Sequence, residues 1–395
     1  MDGVSPIRVV NPRAQSHIGF MRTPRIVALR AFLSSFILST VFLFAESIPK
    51  PSPAHFSPPA EFVGKLGDYR SPLRFNDDRL VKTSADWAKR REEILRQWNG
   101  LMGDWPKLLE KPKLELVGKS QREGITQHKV RVEVSAGQML SGILLVPEGK
   151  GPFPAVLVPF YDAETGAGLG KPLRDFGWQL SKRGFVTLSI GSPGGDARKP
   201  ESGKPQWQPL SYLAYVAANC HTALAQLGYV DASRIGVAGH SYGGKWAMFA
   251  ACFYDKFACG VWSDPGIMFD ETRSNINYWE PWYLGRDEKM TRKPGVVTAA
   301  NPRTGAYKMM VEQGRDLHEV QALMAPRPFL VSGGAEDSAK RWVALNHIVA
   351  VNTLLGHSNR VAMTNRPMHD PTEESNAVLV GFFEQFLKPS LRRDE

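Results

Sequence analysis

Cysteine is scarce in this chain. Its 395 residues include three, Cys220, Cys252 and Cys259, all in apolar surroundings and without metal-ligand spacing. That excludes a disulfide-stapled scaffold and a structural zinc site; buried thiols are expected, with at least one left free by the odd count. No long Lys/Arg run is present. The net charge is +10, and about +7 remains after the five arginines, Asp2 and Glu46 of the first 47 residues are set aside. Basic residues so scattered exclude a nucleic-acid groove and leave a mild preference for anionic small substrates. No internal repeat is visible. The apolar run Ala31–Ala45 spans fifteen residues, short of the ~20 that a membrane span needs.

What is there begins with that run. It follows Arg22, Arg25 and Arg30 and ends in Ala45-Glu46-Ser47, the layout of a secretory signal with small residues at its cleavage site. The expectation is export through residues 1–47, with no stable membrane insertion after cleavage. The charged segment opens so cleanly at Met21 that Met21 is an alternative start. Residues 48–82, Pro/Ser-rich at first, read as a linker, and 83–395 as the catalytic domain. A helix over Asp86–Trp98, capped by Ser84 or Asp86, has Trp87, Ile94, Leu95 and Trp98 on one stripe.

Strands with a period of two follow, over Thr126–Val134 and Leu140–Val146. Strand then alternates with helix, which implies a mostly parallel sheet with an antiparallel lead-in. Its strands are Ala155–Val158, Phe185–Ile190, Ile235–Ala238, Ala258–Ser263, Phe329–Ser332 and Arg360–Thr364. A segment rich in Trp, Tyr, Pro and Gly, residues 265–315, interrupts the alternation and reads as a lid-like insertion.

The stretch that organises the rest is Ile235-Gly236-Val237-Ala238-Gly239-His240-Ser241-Tyr242-Gly243-Gly244-Lys245. A short apolar strand runs into a G-x-S-x-G turn and an apolar helix. This is the pattern of a nucleophile elbow, where a strained serine projects above the sheet and flanking glycines avoid a Cβ clash. The serine needs a base and the base an acid, in chain order Ser, acid, His. Of nine histidines, His369 alone lies in a loop after the last strand. Two aspartates compete as acid: Asp337 and Asp264 each follow a strand end. Asp337 is preferred, with Glu336 a lesser candidate. For the oxyanion hole, one N–H comes from Tyr242 and the other from Tyr161 or Phe160. Lys245, one helical turn after Ser241, is a candidate for holding a substrate carboxylate. Trp279 and Trp282 are candidates for stacking on sugar rings. Neither a cofactor nor a metal is needed for this chemistry.

From about Asp86 onward the chain resembles the α/β-hydrolase superfamily, with its nearest look toward exported carbohydrate esterases and the prolyl-oligopeptidase and dienelactone-hydrolase-like groups. Asp86-Trp87, Lys89-Arg90-Arg91-Glu92, Gly103 and Pro106 are similar to the N-terminal helix of acetyl xylan and glucuronoyl esterases. Glucuronoyl esterases carry a Gly-Cys-Ser-Arg-Asn-Gly-Lys elbow; Gly239, Ser241, Gly244 and Lys245 match it, while His240, Tyr242 and Gly243 depart from it. The resemblance implies a serine hydrolase acting on carboxylic esters of a small molecule or polysaccharide. In that family the acid falls at Asp264; in the wider superfamily it falls at Asp337. A prolyl-oligopeptidase-type peptidase and a non-catalytic binding protein are the rival readings.

Overall fold

The computed structural model describes residues 51–201, 206–273 and 277–388. The expected signal segment lies outside them. Among the described residues no helix is long and apolar enough to cross a membrane.

Nine strands among these residues form one sheet: β1 (Leu114–Arg122), β2 (Ile125–Ser135), β3 (Gln138–Val146), β4 (Phe153–Pro159), β5 (Val186–Ile190), β6 (Val230–His240), β7 (Cys259–Ser263), β8 (Phe329–Gly333) and β9 (Val361–Asn365). Their spatial order is β1-β2-β3-β5-β4-β6-β7-β8-β9. β1, β2, β3 and β5 pair antiparallel, and every later pairing is parallel. Around the sheet run α1 (Ser84–Met102), α2 (Ala163–Gly166), α3 (Phe176–Ser181), α4 (Pro209–Ala225), α5 (Tyr242–Phe253), α6 (Gly305–Glu312), α7 (Leu317–Ala322), α8 (Trp342–Leu354) and α9 (Glu373–Leu387). Alternation along the central strands feeds two cores. Ala155, Leu157 and Val237 pack with α4 and α5, while Val156, Val158 and Ala238 pack with α3 and α9. This is the expected α/β architecture. β1 and α6 were not anticipated, because neither has a clean period in the sequence.

Helix α1 is capped one residue earlier than expected. Thr83 Oγ1 accepts from Asp86 N–H at 3.0 Å and the Asp86 carboxylate accepts from Thr83 N–H at 3.1 Å, a reciprocal capping box. Its buried stripe includes a cation. Arg90, fully buried, pairs with the equally buried Glu319 of α7 at 3.3 Å. Glu319 also accepts from Trp98 Nε1 at 3.2 Å and Arg315 Nη1 at 2.9 Å. That network ties α1 to α7.

The stretch read as a linker is instead a strap. Phe56 is buried at the edge of the Phe386 ring. Phe62 and Lys65 carbonyls accept from Asn346 Nδ2, each at 2.8 Å. Leu66 O and Arg70 O accept from ring N–H groups of His347 and His318 at 3.0 and 2.7 Å. A proline-rich segment lacks the donors for a ladder of its own, so its carbonyls are satisfied by side chains of the body.

The network makes a stability prediction. Glu319→Ala removes the buried acceptor shared by Arg90, Trp98 and Arg315 but leaves Arg90 with Glu93, Asn76 and Pro72 O, and should cost about 1–3 kcal/mol in denaturant unfolding. Removing Glu92, whose pair with Arg96 is largely exposed, should cost less than about 1 kcal/mol.

Candidate active site

Strand β6 delivers Ser241 with φ 55° and ψ −115°, a left-handed region that a serine enters only under constraint. The constraint is local crowding. A Cβ at position 239 would strike the Gly243 carbonyl, and one at 243 would strike the Pro159 carbonyl; only glycine fits at either place. Ser241 N–H is held by Ser263 O at 2.8 Å.

His369 lies in the loop after β9, with Nε2 2.9 Å from Ser241 Oγ. Its Nδ1 is 2.7 Å from Asp264 Oδ2. With Nδ1–H donating to the carboxylate, Nε2 is left to accept from the serine hydroxyl. Of the two aspartates, Asp264 and not Asp337 meets the imidazole. Asp264 sits just beyond β7 with φ 50°. Its Oδ1 accepts from the backbone N–H groups of Gly334, Glu336 and Asp337 at 2.6, 3.1 and 2.9 Å. Asp337 turns the other way, accepting from Gly266 and Ile267 N–H at 2.8 and 2.7 Å. Burial, and then the neighbouring Asp264 charge, push the Asp337 carboxyl up to about 6. Glu336 points toward Arg273, at 3.3 Å.

For an oxyanion, Tyr242 N–H stands at the first turn of α5, where helix amides have no intrahelical acceptor. Phe160 N–H is spent on Ile190 O at 3.0 Å and is not free to face an oxyanion. The Tyr161 ring stacks on that of Tyr242, with ring centroids 4.8 Å apart. His240 is buried, with Nδ1 3.2 Å from Ser263 Oγ and its ring 4.7 Å from that of His369. Desolvation, then the charge of His369, hold its pKa well below the ordinary value.

Two sequence candidates sit differently from expectation. Lys245 does not open toward a ligand. It is 6% exposed, donates to Pro265 O at 2.5 Å, and lies over the Tyr278 and Tyr283 rings at 5.0 and 5.4 Å. The insertion closes over it as a packed wall, not a free lid. Trp279 is fully buried and donates to Gly295 O at 2.8 Å, so it offers no face to a sugar. Trp282 is half-buried, with the Arg198 guanidinium 5.9 Å from its ring.

Arg366 escaped the sequence reading. Buried beneath the His369 loop, it donates to His369 O at 2.6 Å, Asp370 O at 2.8 Å, Ser332 O at 2.7 Å and Ser263 Oγ at 3.1 Å. It pins the loop to the tips of β7 and β8. Its only signal was an arginine three residues before the chosen histidine. On the outer side, Asp370 accepts from Arg174 and Lys171, and those hydrogen bonds, with the two charges, hold its carboxyl well below the usual range. Cys220, Cys252 and Cys259 are buried and unpaired. Among the described residues no His, Cys, Asp and Glu cluster is arranged to hold a metal ion.

Residues 180–338 match the prolyl oligopeptidase family. No curated protein matches the chain by sequence. Among solved structures, a glucuronoyl esterase from Solibacter usitatus is similar with a TM-score of 0.62 and 19% identity, over 80% of this chain and 97% of that one. A glucuronoyl esterase from Caldicellulosiruptor kristjansonii gives 0.58 and 20%, over 84% and 93%. A putative acetyl xylan esterase from Bacteroides fragilis gives 0.55 and 15%, over 76% and 80%. The chain therefore has the α/β-hydrolase fold, and within it residues 180–338, which carry the serine on its strained elbow, are similar to the prolyl oligopeptidase family.

Proposed function

We propose that the chain is an exported hydrolase of carboxylic esters borne by carbohydrate, with Ser241 as nucleophile, His369 as base and Asp264 as acid. The observation that carries this is the continuous line from Ser241 Oγ through the imidazole, at 2.9 and 2.7 Å, to a carboxylate fixed by three amides. In acylation, Ser241 Oγ attacks the ester carbonyl while His369 Nε2 takes its proton. The imidazolium then faces the Asp264 carboxylate, and the oxyanion lies between Tyr242 N–H and Tyr161 N–H. Collapse expels the alcohol, which receives the proton from Nε2. Water, deprotonated by the same nitrogen, cleaves the acyl-enzyme and restores Ser241.

Ester over peptide chemistry is supported by the likeness to structures named as glucuronoyl and acetyl xylan esterases. The matched family name favours a peptidase instead. A panel of p-nitrophenyl acetate, methyl glucuronate and Xaa-Pro amides separates the two: turnover of the amides alone would overturn the ester assignment. Export is tested by the mature N-terminus, which should fall near Glu46–Ile48.

Ser241→Ala and His369→Ala should each lower kcat by about 10³ or more, and the double variant should be little worse. Asp264→Asn should cost more than Asp337→Asn, since only Asp264 orients the imidazole; the reverse order would refute that assignment. Arg366→Ala should lower kcat at least about tenfold with little change in KM, and Arg366→Lys should recover part of the loss.

Lys245 is expected to act on stability, not on substrate charge. Burial lowers its pKa from 10.5 to about 8. The folded chain therefore binds that proton less readily than the unfolded chain. The stability penalty is full below pH 8 and fades toward pH 10.5. Relative to Lys245→Met, the natural chain should gain stability as pH rises through that window. A pH-independent difference in urea unfolding would exclude this account.

A further inference from the structure

Beside the elbow a groove of about 600 Å³ runs away from Ser241 along the carboxyl edge of the sheet. The strand order explains its course. Tyr161 follows β4, Ser192 follows β5, and β3 lies next, with Gly142 paired to Ile190 at the end of β5. The groove shares Tyr161 with the site, and Ser192 Oγ donates to the hydroxyl of Tyr242 at 3.1 Å. One end is thus a single hydrogen bond from the nucleophile turn.

Its far wall is the exposed face of the antiparallel ribbon. Lys129 and Arg131 lie two apart on β2, so they share a face, while Val130 between them enters the core. Ser141 on β3 is in register with Arg131. Arg131 is half-exposed and only 3.8 Å from Glu115, a loose pair; no carboxylate lies within ion-pair distance of Lys129 among the described residues. The near wall carries the exposed Glu164. At the rim, Val117 is 63% exposed. Donors thus line one side, an acceptor the other, and apolar surface lies between.

From this geometry we infer that the groove seats the sugar chain that bears the ester, a linear polyhydroxylated alcohol at least several units long. Such a chain donates and accepts along its length and presents C–H faces between its hydroxyls. A fatty chain would need continuous apolar lining, and a nucleic acid would need cations on both walls. The inference rests on the ester-hydrolase assignment for its substrate, but not for the groove itself.

The test compares esters of one acyl group on one, two and four linked xylose units, together with titration of the unesterified β-linked xylose tetramer into Ser241→Ala by calorimetry. The solvent-exposed charged contacts are individually weak, so the expected rise in kcat/KM from one unit to four is about tenfold. Lys129→Ala/Arg131→Ala should bring that ratio toward one and weaken tetramer binding to Ser241→Ala about as much. Ser141→Trp, which fills the groove from a different strand, should do the same. A ratio of one in the natural chain, no tetramer binding, or a proportional loss on short and long esters alike would overturn the groove. If the tetramer binds but none of the esters is cleaved, the ester assignment falls and the groove stands. If p-nitrophenyl acetate is cleaved without length dependence or tetramer binding, the groove falls and the ester assignment stands.

Discussion

Everything at the site depends on an exchange between two neighbouring loops. Asp264, past β7, takes its amides from the loop past β8; Asp337, past β8, takes its amides from the loop past β7. Each carboxylate closes the other's turn. Because strand tips are rigid and amides are fixed dipoles, the exchange sets the position of Asp264 Oδ2 and hence the plane of the imidazole. It also forces two acids into one buried volume. The geometry divides the labour: Asp264 has three amides and an imidazole, while Asp337 has two amides and a guanidinium 3.6 Å away, and its proton affinity rises.

Local features were the legible ones. The elbow, the sheet strands from Ala155 onward and the final helix Glu373–Leu387 could be read because each is decided within a few residues, by glycine placement, apolar runs and caps. The choice between Asp264 and Asp337 could not, because both stand one step past a parallel strand and the difference lies in which loop curls over the other. One clue was available: Ser263-Asp264-Pro265-Gly266 is a turn sequence in which an aspartate tolerates positive φ, and Asp264 adopts it.

Lys245 shows where spacing misleads. A residue four after Ser241 does share its helical face, but α5 is buried on every side. A helix apolar all round has no open face to offer, and Trp246-Ala247-Met248-Phe249-Ala250-Ala251 already said so. The ammonium consequently lies beneath the site among Pro265 O and two tyrosine rings. The buried acids Glu336, Asp337 and Asp264 partly offset its desolvation. Arg366 is the opposite case: a cation in a loop, with no periodic signal, whose six donations to strand tips and loop carbonyls make it a structural hub.

The strap ahead of α1 carries a consequence for how the molecule comes together. Its carbonyl partners His318, His347 and Asn346 lie 248 to 284 residues farther along the chain. During synthesis the strap is made early, yet nothing can receive its carbonyls until α7 and α8 exist. It must stay solvated while the sheet between grows strand by strand, and then seal the seam last. The segment nearest the start of the described fold is therefore among the final pieces to become ordered. Its long loop closure is compensated only when the rest of the body is already in place.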